Sequence, residues 1–503
     1  MSKEEMKLII PCAMEGIAPK QGKLTDHELG ANDIDKLPDS LLISIISQLA
    51  IKDAVRTSAL SRRWRHLWKW IPSIDFDFDH QLQNNRYNSQ DEPFYVLAER
   101  LATIAKHVFS SHLGTISSCR ILHYSHNCQS NIAHWLEHLS KRGIQKLVLA
   151  CHGRSRTPED TWERLQSTII HCSSLRALVL SSWELVDATP LLGFQNLRAL
   201  ILKSVHLTEK TIMDIISKCV ALEWLVLRSC NHLYSVKIHS PRLKELRLSC
   251  LFRLKKIDID APSLTTLTLS YVDLTEEIIM DIISKCVALE RLFLLSCNIF
   301  HSVKIHTPRL KWLELECLFH LKNIDIDAPS LTTLVISSVS VRMFIKLEVP
   351  NIGNFHIDHL CEGRINEMGT ITKEKLETCD DNMDLLSRCV GLYGVSSRNQ
   401  FVKLRKLFIN VELTNIRHGI VLGYVLRDCV HIQVLHLEIE QYSAWDKSKS
   451  TSTLSWFESG YWWKWDAIDY FYYDLKTVTM NGFMGEPLEL DFVNHLITKA
   501  PGL

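Results

Sequence analysis

Leucines follow one spacing through the middle of the chain. The pattern Leu-x-x-Leu-x-Leu starts at Leu222, Leu243, Leu264, Leu289, Leu310 and Leu331. These starts are 21 or 25 residues apart, within the roughly 20–29 residues of a leucine-rich repeat. A short strand of this pattern buries every second side chain, and only a stack of such strands can cover that face. The pattern therefore predicts an α/β leucine-rich-repeat solenoid.

An internal duplication lies within this array. Residues 208–274 return at residues 275–341, an offset of 67 positions, and about 48 of the 67 positions are identical. Weaker units with the same apolar spacing start upstream at Ile144 and downstream at Leu404 and Ile432. We expect the solenoid to occupy residues 144–440.

Many differences between the two copies fall on positions that alternate with the leucines. Val226, for example, corresponds to Phe293 of the second copy. Alternation places such residues on the sheet face opposite the leucines, the face that solenoid proteins use for extended binding. Drift of exposed positions after duplication explains the differences equally well. The residues expected to contact a target protein are Trp224, Arg228, Glu245, Arg247, Arg291, Trp312, Glu314 and Glu316.

A different period, typical of helices, precedes the repeats. Pro38 suits a first helical turn, and a second short helix is predicted from Lys52 to about Ala59. A third is predicted from Ser61, an acceptable N-cap. The first helix carries an apolar stripe at helical spacing, formed by Leu41, Leu42, Ile45, Ile46 and Leu49.

Residues 33–68 resemble the plant form of the F-box. The matching segments are Leu37-Pro38, Leu41-Leu42, Asp53-Ala54-Val55-Arg56-Thr57-Ser58 and Leu60-Ser61-Arg62-Arg63-Trp64-Arg65-His66-Leu67-Trp68. Ala50 departs from the pattern, because the family usually has proline there. The resemblance implies docking on a Skp-type adaptor of an SCF (Skp, cullin, F-box) ubiquitin ligase, and through it on cullin and RING subunits.

The apolar content of this segment fits a docking role. A unit of about 40 residues has little room to bury so many large apolar side chains by itself. The alternative is that they close a small internal core or pack on the repeats. The residues expected to contact the adaptor are Leu37, Pro38, Leu41, Leu42, Ile45, Ile46, Val55, Leu60 and Trp64.

The remaining segments complete the predicted organisation. Residues 1–32 lack periodicity and are predicted to be a disordered leader, the F-box is assigned to residues 33–80, and residues 81–143 are predicted to be a linker of mixed helices. Residues 441–473 are dense in aromatic residues, which we expect to cap the solenoid, although a ligand pocket has the same composition. Residues 474–503 resemble the FBD module of plant F-box proteins.

Composition and charge narrow the function classes. The chain has 57 basic and 57 acidic residues, which removes any global argument for binding nucleic acid or acidic lipid. A basic run from Arg56 to Lys69 could suggest a helix that binds nucleic acid, but the aromatic residues within it recur at the spacing of a core, which favours a packing role. No apolar stretch approaches the ~18 residues of a membrane span. Fifteen cysteines without a CxxC pair favour a reducing compartment, the nucleus or the cytoplasm.

Motifs for catalysis are weak. His134 and His138 flank Glu137 in the HxxEH spacing of a zinc peptidase family, but no third ligand can be assigned. We therefore expect no metal, no cofactor and no catalytic residues. The F-box resemblance implies a non-catalytic substrate receptor of a ubiquitin ligase, and a ligase-independent interaction scaffold is the alternative.

Overall fold

The computed structural model describes the chain in separate ranges. They are residues 33–76, 94–124, 129–152, 172–185, 195–230, 232–297, 301–318, 320–321, 323–340, 344–349, 351–361, 403–411, 413, 422, 426, 429–439 and 471–503. The chain divides into unit 1, residues 1–243, and unit 2, residues 244–503. The predicted leader at residues 1–32 and the predicted aromatic-rich segment, apart from residues 471–473, lie outside the described residues.

Short helices form the N-terminal module of unit 1, residues 33–70. They are the 3-10 helices Asp33–Lys36, Thr57–Ala59 and Trp64–Trp70 and the α-helices α1 (Asp39–Ile46) and α2 (Ile51–Arg56). Pro38 precedes α1, where the sequence predicted the first helix to begin. The predicted second helix ends early, at Arg56. Just after it, Thr57 Oγ1 donates a hydrogen bond to the Ala54 carbonyl at 2.7 Å, and such a side-chain bond competes with the backbone hydrogen bonds of a helix. The predicted third helix is a 3-10 helix that begins at Trp64.

A parallel sheet forms the rest of unit 1. Its strand order is β1-β2-β3-β4-β6-β8, and β5 pairs with β7 separately. The elements are β1 (Ser73–Phe76), α3 (Phe94–Ser111), β2 (Ser118–Tyr124), α4 (Gln129–Lys141), β3 (Lys146–His152), β4 (Ala177–Ser181), β5 (Glu184–Leu185), β6 (Ala199–Lys203), β7 (His206–Leu207), α5 (Glu209–Lys218), β8 (Trp224–Arg228) and β9 (Ser235–His239).

Leucines in register build the core of this sheet. Leu147, Leu178, Leu200 and Leu225 pair across four successive strands, and each is 0% exposed. Burial of each side chain contributes about 2 kcal/mol relative to exposure. Stacking strands thus cover the face that one strand alone leaves open, as the repeat pattern predicted.

The sheet begins earlier in the chain than the sequence indicated. The predicted linker of helices contains α3 and α4, but β2 lies between them and pairs with β1, which falls in the segment assigned to the F-box. These strands lack the leucine pattern, since their buried residues include Ile74, Phe76, Cys119 and Ile121. Mixed apolar residues fill the same core positions, so a search for leucine spacing misses both strands.

Unit 2 continues the same architecture. Its main sheet is parallel, in the order β10-β12-β13-β15-β17-β19-β20-β21-β22, and β14-β16-β18 form a second sheet. The elements are β10 (Glu245–Ser249), β11 (Lys256–Asp260), β12 (Thr266–Ser270), α6 (Glu276–Lys285), β13 (Arg291–Leu295), β14 (Ser302–His306), β15 (Trp312–Glu316), β16 (Asn323–Asp327), β17 (Thr333–Ser340), β18 (Phe344–Glu348), β19 (Asn354–Cys361), β20 (Lys406–Val411), β21 (Val434–Ile439), β22 (Thr477–Asn481) and α7 (Pro487–Lys499).

A left-handed residue directly follows many strands of both main sheets. Among the residues that the structure describes, seven other than glycine have φ between 49° and 61°: Ser182, Ser204, Ser229, Cys250, Tyr271, Ser296 and Cys317. This conformation directs the chain away from the sheet, while the amide of the left-handed residue still donates a hydrogen bond to the neighbouring strand. The Ser296 amide, for example, donates to the Glu316 carbonyl of β15 at 2.7 Å.

The C-terminal segment adds the last strand and a helix. β22 pairs in parallel with β21, and α7 buries Phe492 and Leu496. In the first turn of α7, the buried Glu489 carboxylate accepts hydrogen bonds at 2.7–3.1 Å from the amides of the three residues Met484, Gly485 and Glu486, which precede the helix. Of the described residues of the predicted aromatic segment, Tyr472 is buried, whereas Phe471 and Tyr473 are exposed.

Candidate functional site

The first candidate surface is on the N-terminal module, whose helices pack around a small core. α1 packs against the 3-10 helix Trp64–Trp70. Leu42 and Ile46 of α1 are 0% exposed, and Trp64 is 3% exposed. One side of the predicted apolar stripe is therefore inside the module.

The other side of the stripe remains at the surface. Leu41, Ile45 and Leu49 follow one another at intervals of four residues and are 43%, 44% and 38% exposed. Leu41 and Ile45 are four residues apart within α1 and therefore lie on one helical face, whereas Leu49 follows the end of α1. Leu60 and Ile34 add two further exposed apolar side chains to the module. We call Leu41, Ile45 and Leu49 the exposed stripe.

This division corrects the residues expected to contact an adaptor. Leu42, Ile46 and Trp64 are in the module's own core, because the 3-10 helix covers that side of α1, so they are not available as contacts in this conformation. Leu41, Ile45, Leu60 and Pro38 are exposed, and Leu37 and Val55 are half-buried. The sequence missed Ile34, which stands outside the helical period.

In unit 1, the sheet face opposite the leucines, here called the outer face, is apolar along its middle row. Val148, Val179, Ile201 and Val226 are in register and form one buried cluster, 3–7% exposed. Val226 was expected to be exposed, and its burial corrects that prediction: the alternation is right, but the middle row of the outer face is buried in unit 1. Of the predicted contact residues in unit 1, Trp224 is half-buried and Arg228 is exposed.

Charged residues adjoin this apolar row in unit 1. Arg120 pairs with Asp75 at 3.5 Å, and their side chains are only 11% and 22% exposed. Burial lowers the pKa of nearby Lys146, and the Asp75 carboxylate opposes that shift. An ion pair so enclosed serves the packing of the sheet rather than an open binding surface.

The outer face of unit 2 is more polar and more open. Arg291 and Trp312 are exposed, and Glu245, Arg247, Glu314 and Glu316 are half-exposed. Four of these residues lie on the paired strands β13 and β15: Arg291, which pairs with Trp312, and the two acids Glu314 and Glu316 on the same strand as Trp312. Glu245 and Arg247 lie on β10, separated from β13 by β12, and form a salt bridge of 2.6 Å with each other.

A group of rings that the sequence did not predict lies further along the same face. Phe408 lies between His356 and His436, with ring centroids 5.8 Å and 5.5 Å apart. Beside His436, Asn481 Nδ2 donates to Glu438 Oε2 at 2.9 Å. The alternation in the units at Leu404 and Ile432 could have placed Phe408 and His436 on this face, because each stands between two buried apolar residues.

Three family models match the chain. An F-box domain model matches residues 34–75. The leucine-rich repeats of the FBD-associated F-box protein At5g56370 match residues 132–265, and the leucine-rich-repeat domain of At1g61320/AtMIF1 matches residues 262–503. The F-box match covers the module that carries the exposed stripe, and the other two cover most of the solenoid.

Relatives in Arabidopsis thaliana combine the same parts. The F-box/LRR-repeat protein At3g26922 is 32% identical over 227 residues, which are 44% of this chain and 68% of that protein. The chain belongs to the F-box/LRR-repeat proteins. F-box protein At1g80960 is 30% identical over 48% of this chain and 51% of that protein, and F-box/FBD/LRR-repeat protein At1g13570 is 29% identical over 44% and 49%. The chain thus spans about half the length of these two relatives.

The FBD assignment of residues 474–503 stays a prediction for this F-box/LRR-repeat protein. Some relatives carry FBD in their names, but the leucine-rich-repeat model extends through residue 503. The structure agrees with that extension as far as β22, which pairs with β21 as a further parallel strand of the main sheet.

The alternative sites considered for this F-box/LRR-repeat protein have structural explanations. His134 and His138 lie on α4 with ring centroids 4.8 Å apart, while Glu137 binds Lys141 at 2.7 Å, which lowers the Glu137 pKa. Among the residues that the structure describes, no three His, Cys, Asp or Glu side chains form a metal-binding group. No helix in the described ranges is both long and apolar enough to cross a membrane.

Proposed function

We propose that this chain is a substrate receptor of an SCF-type ubiquitin ligase. The N-terminal module would bind a Skp-type adaptor, and the outer face of unit 2 would bind the target protein. The observation that carries the proposal is the exposed stripe: a small module with its own packed core still presents large apolar side chains at its surface, two of them on one face of α1. The F-box match over residues 34–75 supports the choice of partner.

The energetics of the stripe suit a partner helix or groove. Each of Leu41, Ile45 and Leu49 is about 40% exposed, so covering it contributes roughly 1 kcal/mol. Leu41 and Ile45, at positions i and i+4 of α1, have a spacing by which a helix inserts side chains into an apolar groove. Leu60 offers an additional apolar contact on the same module because it is 66% exposed.

The receptor would act by positioning. Cullin and RING subunits, bound through the adaptor, would carry out ubiquitin transfer, and this chain would contribute specificity and a high effective concentration of the target. No catalytic residue, metal or cofactor is needed in this chain for that role. The nucleus and the cytoplasm are the expected compartments.

Adaptor binding is tested by co-purification of the full chain with a Skp-type adaptor. The double variant L41D/I45D should lose the complex, because burying two carboxylates against an apolar groove is strongly unfavourable. The matched control is Val220→Asp, which changes an apolar residue that is 67% exposed and lies outside the module. Adaptor binding that survives L41D/I45D would refute the proposed interface, provided that thermal unfolding of both variants matches the parent chain.

The alternative of a ligase-independent scaffold has one observation in its favour. Leu42, Ile46 and Trp64 do close an internal core, so part of the apolar content does not require a partner. A chain that binds a target but never co-purifies with any Skp-type adaptor would establish the scaffold instead.

A further inference from the structure

One patch on the outer face of unit 2 combines aromatic, aliphatic and acidic side chains. It consists of Phe293, Leu295, Trp312, Glu314 and Glu316, on the neighbouring strands β13 and β15, and we call it the acidic-aromatic patch. The rings of Phe293 and Trp312 have centroids 6.4 Å apart and planes inclined at 32°. Trp312 Nε1 donates to Glu314 Oε2 at 3.3 Å, which holds the indole beside a carboxylate.

Neither carboxylate of the patch faces a basic residue at its paired positions. Glu314 stands between Phe293 of β13 and Val335 of β17. Glu316 stands between Leu295 and Ser337 on the same two strands. Paired residues on adjacent strands are the closest side-chain neighbours in a sheet, so the positions paired with the two carboxylates are apolar or small, and the basic residue of β13 on this face, Arg291, pairs with Trp312 instead.

The other copy of the repeat shows that this combination is not required by the fold. The patch residues correspond, in order, to Val226, Arg228, Glu245, Arg247 and Ser249. All five differ, whereas the core leucines that flank them are retained in both copies. In the first copy, the carboxylate of Glu245 is neutralised by Arg247 at 2.6 Å. The second copy has Trp312 and Glu314 in place of this internal pair, and Glu316 in place of Ser249.

The chemistry of the patch fits a cation on a long apolar stem. A guanidinium forms paired hydrogen bonds to a carboxylate and stacks on an indole face, and its methylene stem packs on apolar side chains. Lysine provides the charge without the planar fork or the stacking. We propose that the acidic-aromatic patch binds an arginine-bearing segment of the target protein, an inference that rests on the proposed receptor function.

The test selects ligands from a displayed library of random 12-residue peptides on the immobilised full chain. Arginine should be enriched over its frequency in the unselected library, and more strongly than lysine. Binding of a recovered peptide should weaken about tenfold in E314Q/E316Q, the loss of a charge-assisted pair. The matched control is Glu438→Gln, which removes another exposed carboxylate of the same face, one that is already bound to Asn481 and should change little.

The outcomes separate this inference from the proposed function. Selection without arginine enrichment, or equal binding to the parent chain and E314Q/E316Q, would overturn the inference. A second double variant, E314R/E316S, carries the residues that the first copy has at these positions and should also lose the arginine preference. If the chain binds a Skp-type adaptor but shows no arginine preference, the inference alone fails. If it selects arginine peptides but binds no adaptor, the ligase role fails and the patch stands.

Discussion

Arg63 fastens the start of α1 by binding Asp39, a residue 24 positions earlier in the chain. Its Nε and Nη2 atoms lie 2.8 Å and 2.6 Å from the same carboxylate oxygen, Asp39 Oδ1. Nη2 also donates to the Leu37 carbonyl at 2.6 Å. These bonds connect the segment before the 3-10 helix Trp64–Trp70 to the first turn of α1, the helix that carries Leu41 and Ile45.

Replacing Arg63 with methionine should loosen α1 without unfolding the solenoid. The lost pair is partly exposed and is worth about 1 kcal/mol, so amide hydrogen exchange in α1 should accelerate about fivefold. The control is Arg56→Met, which removes a more exposed pair with Asp53, at 3.2 Å within α2, and should leave α1 exchange unchanged. Equal exchange of α1 in the Arg63 variant and the parent chain would contradict the fastening role.

Acid should destabilise unit 1 through His112. This side chain is 1% exposed and contacts the Ile71 carbonyl through Nε2 at 2.9 Å. Burial is the main cause that lowers its pKa below the ordinary 6.5, and positively charged Arg142 adds to the effect, while the bond to Ile71 opposes it. The unfolded chain therefore takes up a proton at a pH at which the folded chain still excludes it.

The sign of this linkage is fixed by the direction of the shift. Because the folded pKa is the lower one, His112 contributes stability above pH 6.5, and the contribution falls as pH drops from 6.5 toward the folded pKa. The melting temperature measured from pH 7.5 to pH 5 should decline more steeply in the parent chain than in His112→Gln, whose amide can still donate to Ile71. Parallel declines in the two proteins would show that His112 does not control this pH range.

The sequence was sufficient for the core of the fold and for the location of the candidate surfaces. Leucine spacing identified core positions such as Leu225 and Leu292, both of which are buried, because a period of two divides a strand into two faces whatever lies around it. The same rule placed Trp312 and Glu314 on the outer face. Local spacing is enough to assign a residue to a face, because the alternation of side chains depends only on the backbone geometry of a strand.

The burial and contacts of individual side chains depend on neighbouring elements and could not be predicted from the sequence. Leu41 and Leu42 are adjacent in one apolar stripe, and only the packing of the 3-10 helix decides that Leu42 is covered and Leu41 is not. Val226 obeys the predicted alternation but is buried by the packing of the outer face of unit 1. The contact of His356 with Phe408 joins residues that are far apart in the chain, so it requires the pairing of β19 with β20.

Cysteines that the repeat places in the core should resist alkylation. Cys230 and Cys297 are 1% exposed, and burial raises the pKa of both thiols to about 11. Cys250 and Cys317 are half-exposed at the ends of strands. With iodoacetamide at pH 8, mass spectrometry should find these two labelled at least about tenfold faster, because the thiolate is the reacting species. Uniform labelling in the folded chain, matching that in urea, would contradict this prediction.

Left-handed residues after the strands should make glycine a favourable replacement at Ser296. Its φ of 54° costs a residue with a side chain about 1–2 kcal/mol, and glycine removes that cost but loses about 0.5–1 kcal/mol in unfolded-state entropy. Ser296→Gly should therefore raise the free energy of unfolding by about 0.5 kcal/mol, and Ser296→Val should lower it by about 1–2 kcal/mol. The control is Ser270→Gly, at an extended position in β12, which should be destabilising because glycine weakens a strand. If urea unfolding gives the same sign for glycine at both serines, backbone strain at Ser296 is not what sets its stability.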